Sequence, residues 1–369
     1  MLLAGCGWLG KPKVAPAPAV TFPGGVVWQL ALESPPSQPP AFDDARAYVA
    51  TRSGRIVAVD HASGEIAWSA EAASTVAPAS SGRVVVGANA ATAWALDADS
   101  GRALWQRPLP AAAGIGPVTI ASGVVFVTDA GEAVLLAADD GHEIWRRDLG
   151  GPPSAVAASA SGGPWIGLKD GRVVSIEPVR GGIAWTRRLK ATPLALTPVR
   201  DRVFVGAADR FLYSLKVKSG RVAWRWRTGG DVAGPAAADA RRIYFASRDA
   251  TLRALDRRHG DLKWQRPLAT RATGGPLLAG DMLILAGVSP ELRGFRTSDG
   301  GGAGVVAIPG RALRGPVFAP QRGTVPARAL ILTAGGQLLA IGQTVEPPIV
   351  AFEFPASRVL PPETLPVAR

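Results

Sequence analysis

The 369-residue chain is 47% hydrophobic and carries 44 Gly and 32 Pro, so it can bury a large core while turning often, and long helices are poorly served. Three His and a single Cys argue against a histidine-built active site and leave no internal disulfide. The net charge of +12 is lopsided: residues 1–150 hold 10 Lys/Arg against 14 Asp/Glu, and residues 151–300 hold 25 against 12. One side of the fold is therefore expected to attract acidic surfaces or anionic lipid head groups.

In chain order, residues 1–23 come first. Leu3-Ala4-Gly5-Cys6 resembles a bacterial lipobox, where cleavage precedes a cysteine that becomes lipidated, so Cys6 is the expected anchor. The apolar run before it is shorter than a signal peptide requires, which places the expected natural start upstream of Met1. Lys11 to Val20, KPKVAPAPAV, reads as an extended tether with little apolar surface to bury.

From Gly24 to about residue 345 the chain repeats. Trp28, Trp68, Trp105, Trp145, Trp185, Trp224 and Trp264 recur at intervals of 40, 37, 40, 40, 39 and 40. Four residues before them stand Gly24, Gly64, Gly101, Gly141, Gly181, Gly220 and Gly260. One period further on, Gly300 keeps the glycine position and Gly304 replaces the tryptophan. Each unit holds short Val/Ile/Phe/Tyr-rich runs separated by Gly, Asp and Ser, as in RVFVGA, FLYSLK and SGRVAW, which are antiparallel meander signals.

A period near 40 made only of strands predicts an all-β, eight-bladed β-propeller of four-stranded antiparallel blades. The last unit lacks an outer strand, so Val26 to Leu30 is expected to supply it and close the ring. Glycine is expected to take positive φ in the turn entering each outer strand, and tryptophan to fill the space between blades. Asp60, Asp97, Glu177 and Asp256, eight residues before Trp, read as turn-closing acids. Pro40, Pro117, Pro235, Pro276 and Pro316 read as markers of the passage to the next inner strand. His61, His142 and His259 fall in the turns before outer strands and read as solvated. Residues 346–369 form a Pro-rich tail, with Ile349 to Phe354 as one further candidate strand.

The repeats LYSLKVKSGRVAWRW, 212–226, and LRALDRRHGDLKWQRPL, 252–268, resemble those of the quinoprotein-type, or PQQ-like, propeller family, and within it the outer-membrane protein assembly factors. The enzymes of that family hold pyrroloquinoline quinone over the axis with Ca²⁺, an aspartate base and often a vicinal disulfide. The single Cys and the lack of an Asn/Asp/Glu set at the inner strands point away from that chemistry, so no cofactor and no catalysis are expected. The assembly-factor resemblance implies a monomeric, lipid-anchored scaffold at the periplasmic face of the outer membrane, within a complex of envelope proteins such as the barrel assembly machinery. The alternative is a periplasmic PQQ- or sugar-binding propeller, possibly redox-linked.

In the assembly factors the partner contacts lie in loops of the middle blades and include Leu, Arg and paired Asp. The corresponding stretches here, 149–159 and 189–199, carry neither the Arg nor the Asp, while Leu313-Arg314-Gly315-Pro316 occurs in another blade. Candidate partner-binding residues are the cations Arg187, Arg188, Lys190, Arg225 and Arg227, with Arg241 and Arg242 expected exposed in a turn, and Arg314. Trp and Arg interleave, but the Trp follow the repeat register, so nucleic acid is not an expected partner.

Overall fold

The computed structural model describes residues 22–343 apart from 160, 161, 233 and 323. Cys6, the tether and the candidate strand Ile349 to Phe354 lie outside the described residues. The described chain forms eight four-stranded antiparallel sheets, the blades of a propeller. Blades 1 to 7 span residues 41–71, 79–108, 113–148, 153–188, 193–227, 237–267 and 277–307, each in sequential meander order. Blade 8 combines three strands within 317–342 with the N-terminal strand Gly25–Ala31, which pairs antiparallel with Gln337–Gly342 as the outer strand. The ring is thus closed by backbone hydrogen bonds between the two ends of the described chain.

The glycine and tryptophan of the repeat meet across blade boundaries, not within a blade. A Cβ built on Gly64 would stand 2.5 Å from the Trp28 ring, and Gly101, Gly141, Gly181, Gly220, Gly260 and Gly300 face Trp68, Trp105, Trp145, Trp185, Trp224 and Trp264 in the same way. All seven glycines have φ between 62° and 83°, a region that costs an L residue about 1–2 kcal/mol. Each indole also donates its N–H to a backbone carbonyl of the next blade, those of His61, Ala98, Ala138, Pro178, Val217, Arg257 and Thr297, at 2.6 to 3.2 Å. One side chain therefore buries a large apolar surface and satisfies its only polar group at the same junction.

At the eighth junction, where Gly304 stands in place of Trp, the gap is filled from the N-terminus. A Cβ on Gly304 would fall 2.7 Å from the Pro23 ring, and the Phe22 ring lies against Gly294. Phe22 is buried with Met282, Ile284 and Leu292 of blade 7 and with Leu339 and Ile341 of blade 8. The segment leading into the closing strand thus replaces the missing indole.

The acids of the repeat close turns as expected. Asp60 Oδ1 accepts from the N–H of Ala62 and Ser63, Asp97 Oδ1 from Asp99 and Ser100, and Asp256 Oδ1 from Arg258 and His259, while Glu177 holds Val179 and Arg180. The histidines require a correction. His142 and His259 are exposed beside Asp140 and Asp256, but His61 is only 2% exposed and its Nε2 has no partner. His61 follows the turn acid directly, the position whose carbonyl receives the indole N–H. That position points inward in other blades too, as the buried Ala98 and Arg257 show. Burial pushes the His61 imidazole below its ordinary pKa of 6.5.

Adjacent glycines allow a test. Gly181 has φ +69° and the Trp145 ring 2.7 Å from its would-be Cβ, whereas around Gly182 nothing lies within 4 Å. Gly181→Ala is expected to lower unfolding stability by about 2–4 kcal/mol through backbone strain and displacement of the ring. Gly182→Ala should stay within about 0.5 kcal/mol. Urea denaturation of both variants measures the difference, and equal midpoints would rule out the indole–glycine junction as a source of stability.

Candidate functional site

Two parts of the surface carry unusual chemistry: the cationic outer rim of blades 4 to 6 and a cavity on the propeller axis. On the rim, the outer strands Ile183–Arg188, Val222–Arg227 and Leu262–Pro267 carry Arg187, Arg188, Arg225, Arg227, Lys263 and Arg266 and no acid. Alternation divides these side chains. Trp224 and Trp226 pack into the junction with blade 6, and Arg225 takes the opposite side, with its guanidinium 5.0 Å from the centre of the Phe211 ring at the junction with blade 4. Nearby, Tyr213 donates its hydroxyl to Asp209 at 2.5 Å; burial, then that carboxylate, push the phenol up to about 12.

The sequence-derived cations separate into two groups. Arg187 Nε donates to the Gly220 carbonyl of the next blade at 2.8 Å, as Arg147 does to Gly181, so its head group reinforces the junction beside Trp185. Arg242 is half-buried at the start of the strand Arg242–Ser247, not exposed in a turn, and donates to the carbonyls of Thr297 and Ser298 in blade 7. Arg188 is exposed but reaches the Asp170 carbonyl at 3.0 Å and its carboxylate at 3.5 Å. Lys190, Arg225, Arg227 and Arg241 are exposed, and none forms an ion pair among the described residues. A sequence signal for the first group exists: Arg107, Arg147, Arg187 and Arg266 all stand two residues after Trp, on the face that meets the next blade.

The axial cavity is lined by residues from blades 3 to 8, whose inner strands differ in length. Blades 3, 4 and 5 have inner strands of 8, 7 and 7 residues, Ala113–Ile120, Pro153–Ser159 and Pro193–Val199. Blades 6, 7 and 8 enter through Gly-Pro steps into inner strands of only 2, 3 and 3 residues. Those connections stack backbone on backbone: a Cβ on Gly234 would lie 2.6 Å from Gly275 N, and one on Gly274 2.5 Å from Gly315 N. The space left on the axis measures about 590 Å³. Its wall includes Ile115, Val156, Leu194, Leu196, Leu277 and Phe318, the hydroxyls of Ser154 and Thr273, and Arg314. The stretches 149–159 and 189–199 therefore contribute to this wall, while Leu149 and Leu189 at their starts are buried.

Among the described residues no group of three or more His, Cys, Asp or Glu is placed to hold a metal ion. The family described as outer membrane protein assembly factor BamB matches residues 19–166 and 169–317. The chain belongs to the BamB family. The outer membrane protein assembly factor BamB of Yersinia pestis is 24% identical, with 81% of this chain and 86% of that protein covered. The crystal structure of BamB from Moraxella catarrhalis superimposes with a TM-score of 0.72 at 18% identity, over 86% of this chain and 99% of that one. The quinohemoprotein alcohol dehydrogenase of Comamonas testosteroni shares the fold at a TM-score of 0.66 and 12% identity, covering 88% and 77%. The propeller fold alone is shared with the dehydrogenase.

The division of the cations is measurable. Arg242→Ala, which leaves two carbonyls of blade 7 without a charged donor, is expected to cost about 1–3 kcal/mol of stability. Arg227→Ala and Arg241→Ala should each change it by less than about 0.5 kcal/mol. Urea denaturation of the three variants separates the groups, and a comparable loss at Arg227 would merge them.

Proposed function

We propose that this protein is a non-catalytic scaffold of the cell envelope. It is tethered through a lipidated Cys6 to the periplasmic face of the outer membrane and presents its loops and rim to partners in the assembly of outer-membrane proteins. The observation that carries this reading is the match to the BamB family over most of the propeller, and the named role of the relatives supplies the process. The physical case is that a closed ring fixes many loops relative to one another before any partner arrives, so little ordering entropy remains to be lost on docking.

On this reading the partner surface is the outer rim of blades 4 to 6. Lys190, Arg225, Arg227 and Arg241 offer exposed cations with no competing carboxylate pair, and Arg188 adds a weakly held one. Partners are envelope proteins with acidic surfaces, the barrel assembly machinery first among them, and the anionic head groups of the membrane add to the attraction. Arg187 and Arg242 serve the blade junctions and contribute indirectly.

Immunoprecipitation from detergent-solubilised envelopes, with the gene expressed from its upstream codons, tests the reading. The wild-type protein is expected to bring down the barrel assembly machinery, and a quadruple Ser substitution of Arg188, Lys190, Arg225 and Arg227 to lose most of it at moderate salt. Cys6→Ser is expected to shift the protein from the membrane to the soluble fraction. Recovery of no assembly component by the wild-type protein, from membranes where the machinery is intact, would contradict the proposal.

A further inference from the structure

Among the described residues that line the axial cavity, Arg314 is the only titratable side chain. Several other arginines meet acids, Arg253 with Asp249 at 2.7 Å, Arg172 with Asp170 at 2.6 Å, Arg293 with Glu291 at 2.7 Å and Arg296 with Asp299 at 3.0 Å. Among the described residues Arg314 forms no such pair, and it is an exposed residue at the cavity wall. Partial desolvation lowers its pKa, with no carboxylate acting in the opposite sense. An anion that enters the cavity therefore meets this guanidinium with no carboxylate competing for it.

The wall defines what kind of anion fits. The described lining comes from six blades and is mostly aliphatic or aromatic, with Ser154 and Thr273 as its other side-chain polar groups beside Arg314. A phosphate dianion would need further donors to replace its water. A carboxylate needs one planar guanidinium, which it meets with two parallel hydrogen bonds, and an apolar body attached to it would replace water along the rest of the wall. The volume of about 590 Å³ lies within the range of small-ligand sites.

We propose that the axial cavity binds a carboxylate carried on an apolar body, with Arg314 as the anion-binding residue. Two sources share this chemistry: the free C-terminus of a peptide ending in an apolar residue, and a small free organic acid. The proposal does not rest on the scaffold reading, because the cavity is built from inner strands and the rim from outer ones.

Isothermal titration of the full chain tests it with four probes: acetyl-Ala-Ala-Phe as the free acid, the same peptide as its C-terminal amide, 3-phenylpropionate, and inorganic phosphate. Saturable binding of at least one carboxylate is expected, at least tenfold weaker in the amide or in Arg314→Gln, partly retained in Arg314→Lys, and unchanged in the rim variant Arg241→Gln. Binding of the peptide acid alone assigns the site to a chain terminus, and binding of 3-phenylpropionate assigns it to a free acid. Should Arg314→Gln fail to fold, the acid-against-amide comparison on the wild-type protein decides. No saturable binding of either carboxylate up to millimolar concentration, equal affinity for acid and amide, or phosphate binding as tightly as the carboxylates would each overturn the proposal.

Discussion

Each repeat tryptophan on an outer strand lies against a left-handed glycine of the following blade and hands its N–H to a carbonyl there. The rest of the architecture depends on this contact. A four-stranded blade exposes two faces and cannot bury both by itself, so its stability is borrowed from its neighbours. The glycine is required twice over, for its φ and for the absence of a Cβ beneath the ring. The tryptophan is required because a smaller side chain would leave space at the wide periphery of the ring. That double demand explains why the pair recurs with so little drift in spacing while the surface between repeats varies freely.

A ring of such contacts is only as good as its last junction. Here the chain departs from its own pattern at Gly304 and compensates with Phe22 and Pro23, just before the strand that completes blade 8. Trp28, on that same strand, reaches forward to Gly64 and the His61 carbonyl in blade 1. About seven consecutive residues therefore serve blades 7, 8 and 1 together. His61 is buried at this place, with Arg328 donating to its carbonyl and to that of Ala62, and Arg322 reaching Asp60.

Periodic features were legible in the sequence because the fold repeats them. Trp, Gly and the turn acids announced eight blades, the strand order and the N-terminal closure. Features produced by departures from the repeat were not. The burial of His61 would have followed from aligning it with Ala98 and Arg257, since all three hold the same register position, but a polar residue in a turn looks solvated when read alone. Arg242 likewise reads as a turn residue until the carbonyls of blade 7 are placed beside it. Arg314 was visible as an isolated Leu-Arg-Gly-Pro, yet what it faces depends on walls contributed by segments some 200 residues apart, and no local pattern encodes that convergence.

A rigid ring suits a scaffold because its loops and rim keep fixed relations without further ordering, and the closing strand is what makes the ring rigid. Hydrogen–deuterium exchange on the full chain carrying Trp28→Ala tests this most directly. Faster exchange is expected on both sides of the closure, in 317–342 and in 41–71, with a lower denaturation midpoint. Exchange altered only within 25–31, with the midpoint unchanged, would show that the blades hold together without the closing junction and would contradict the account.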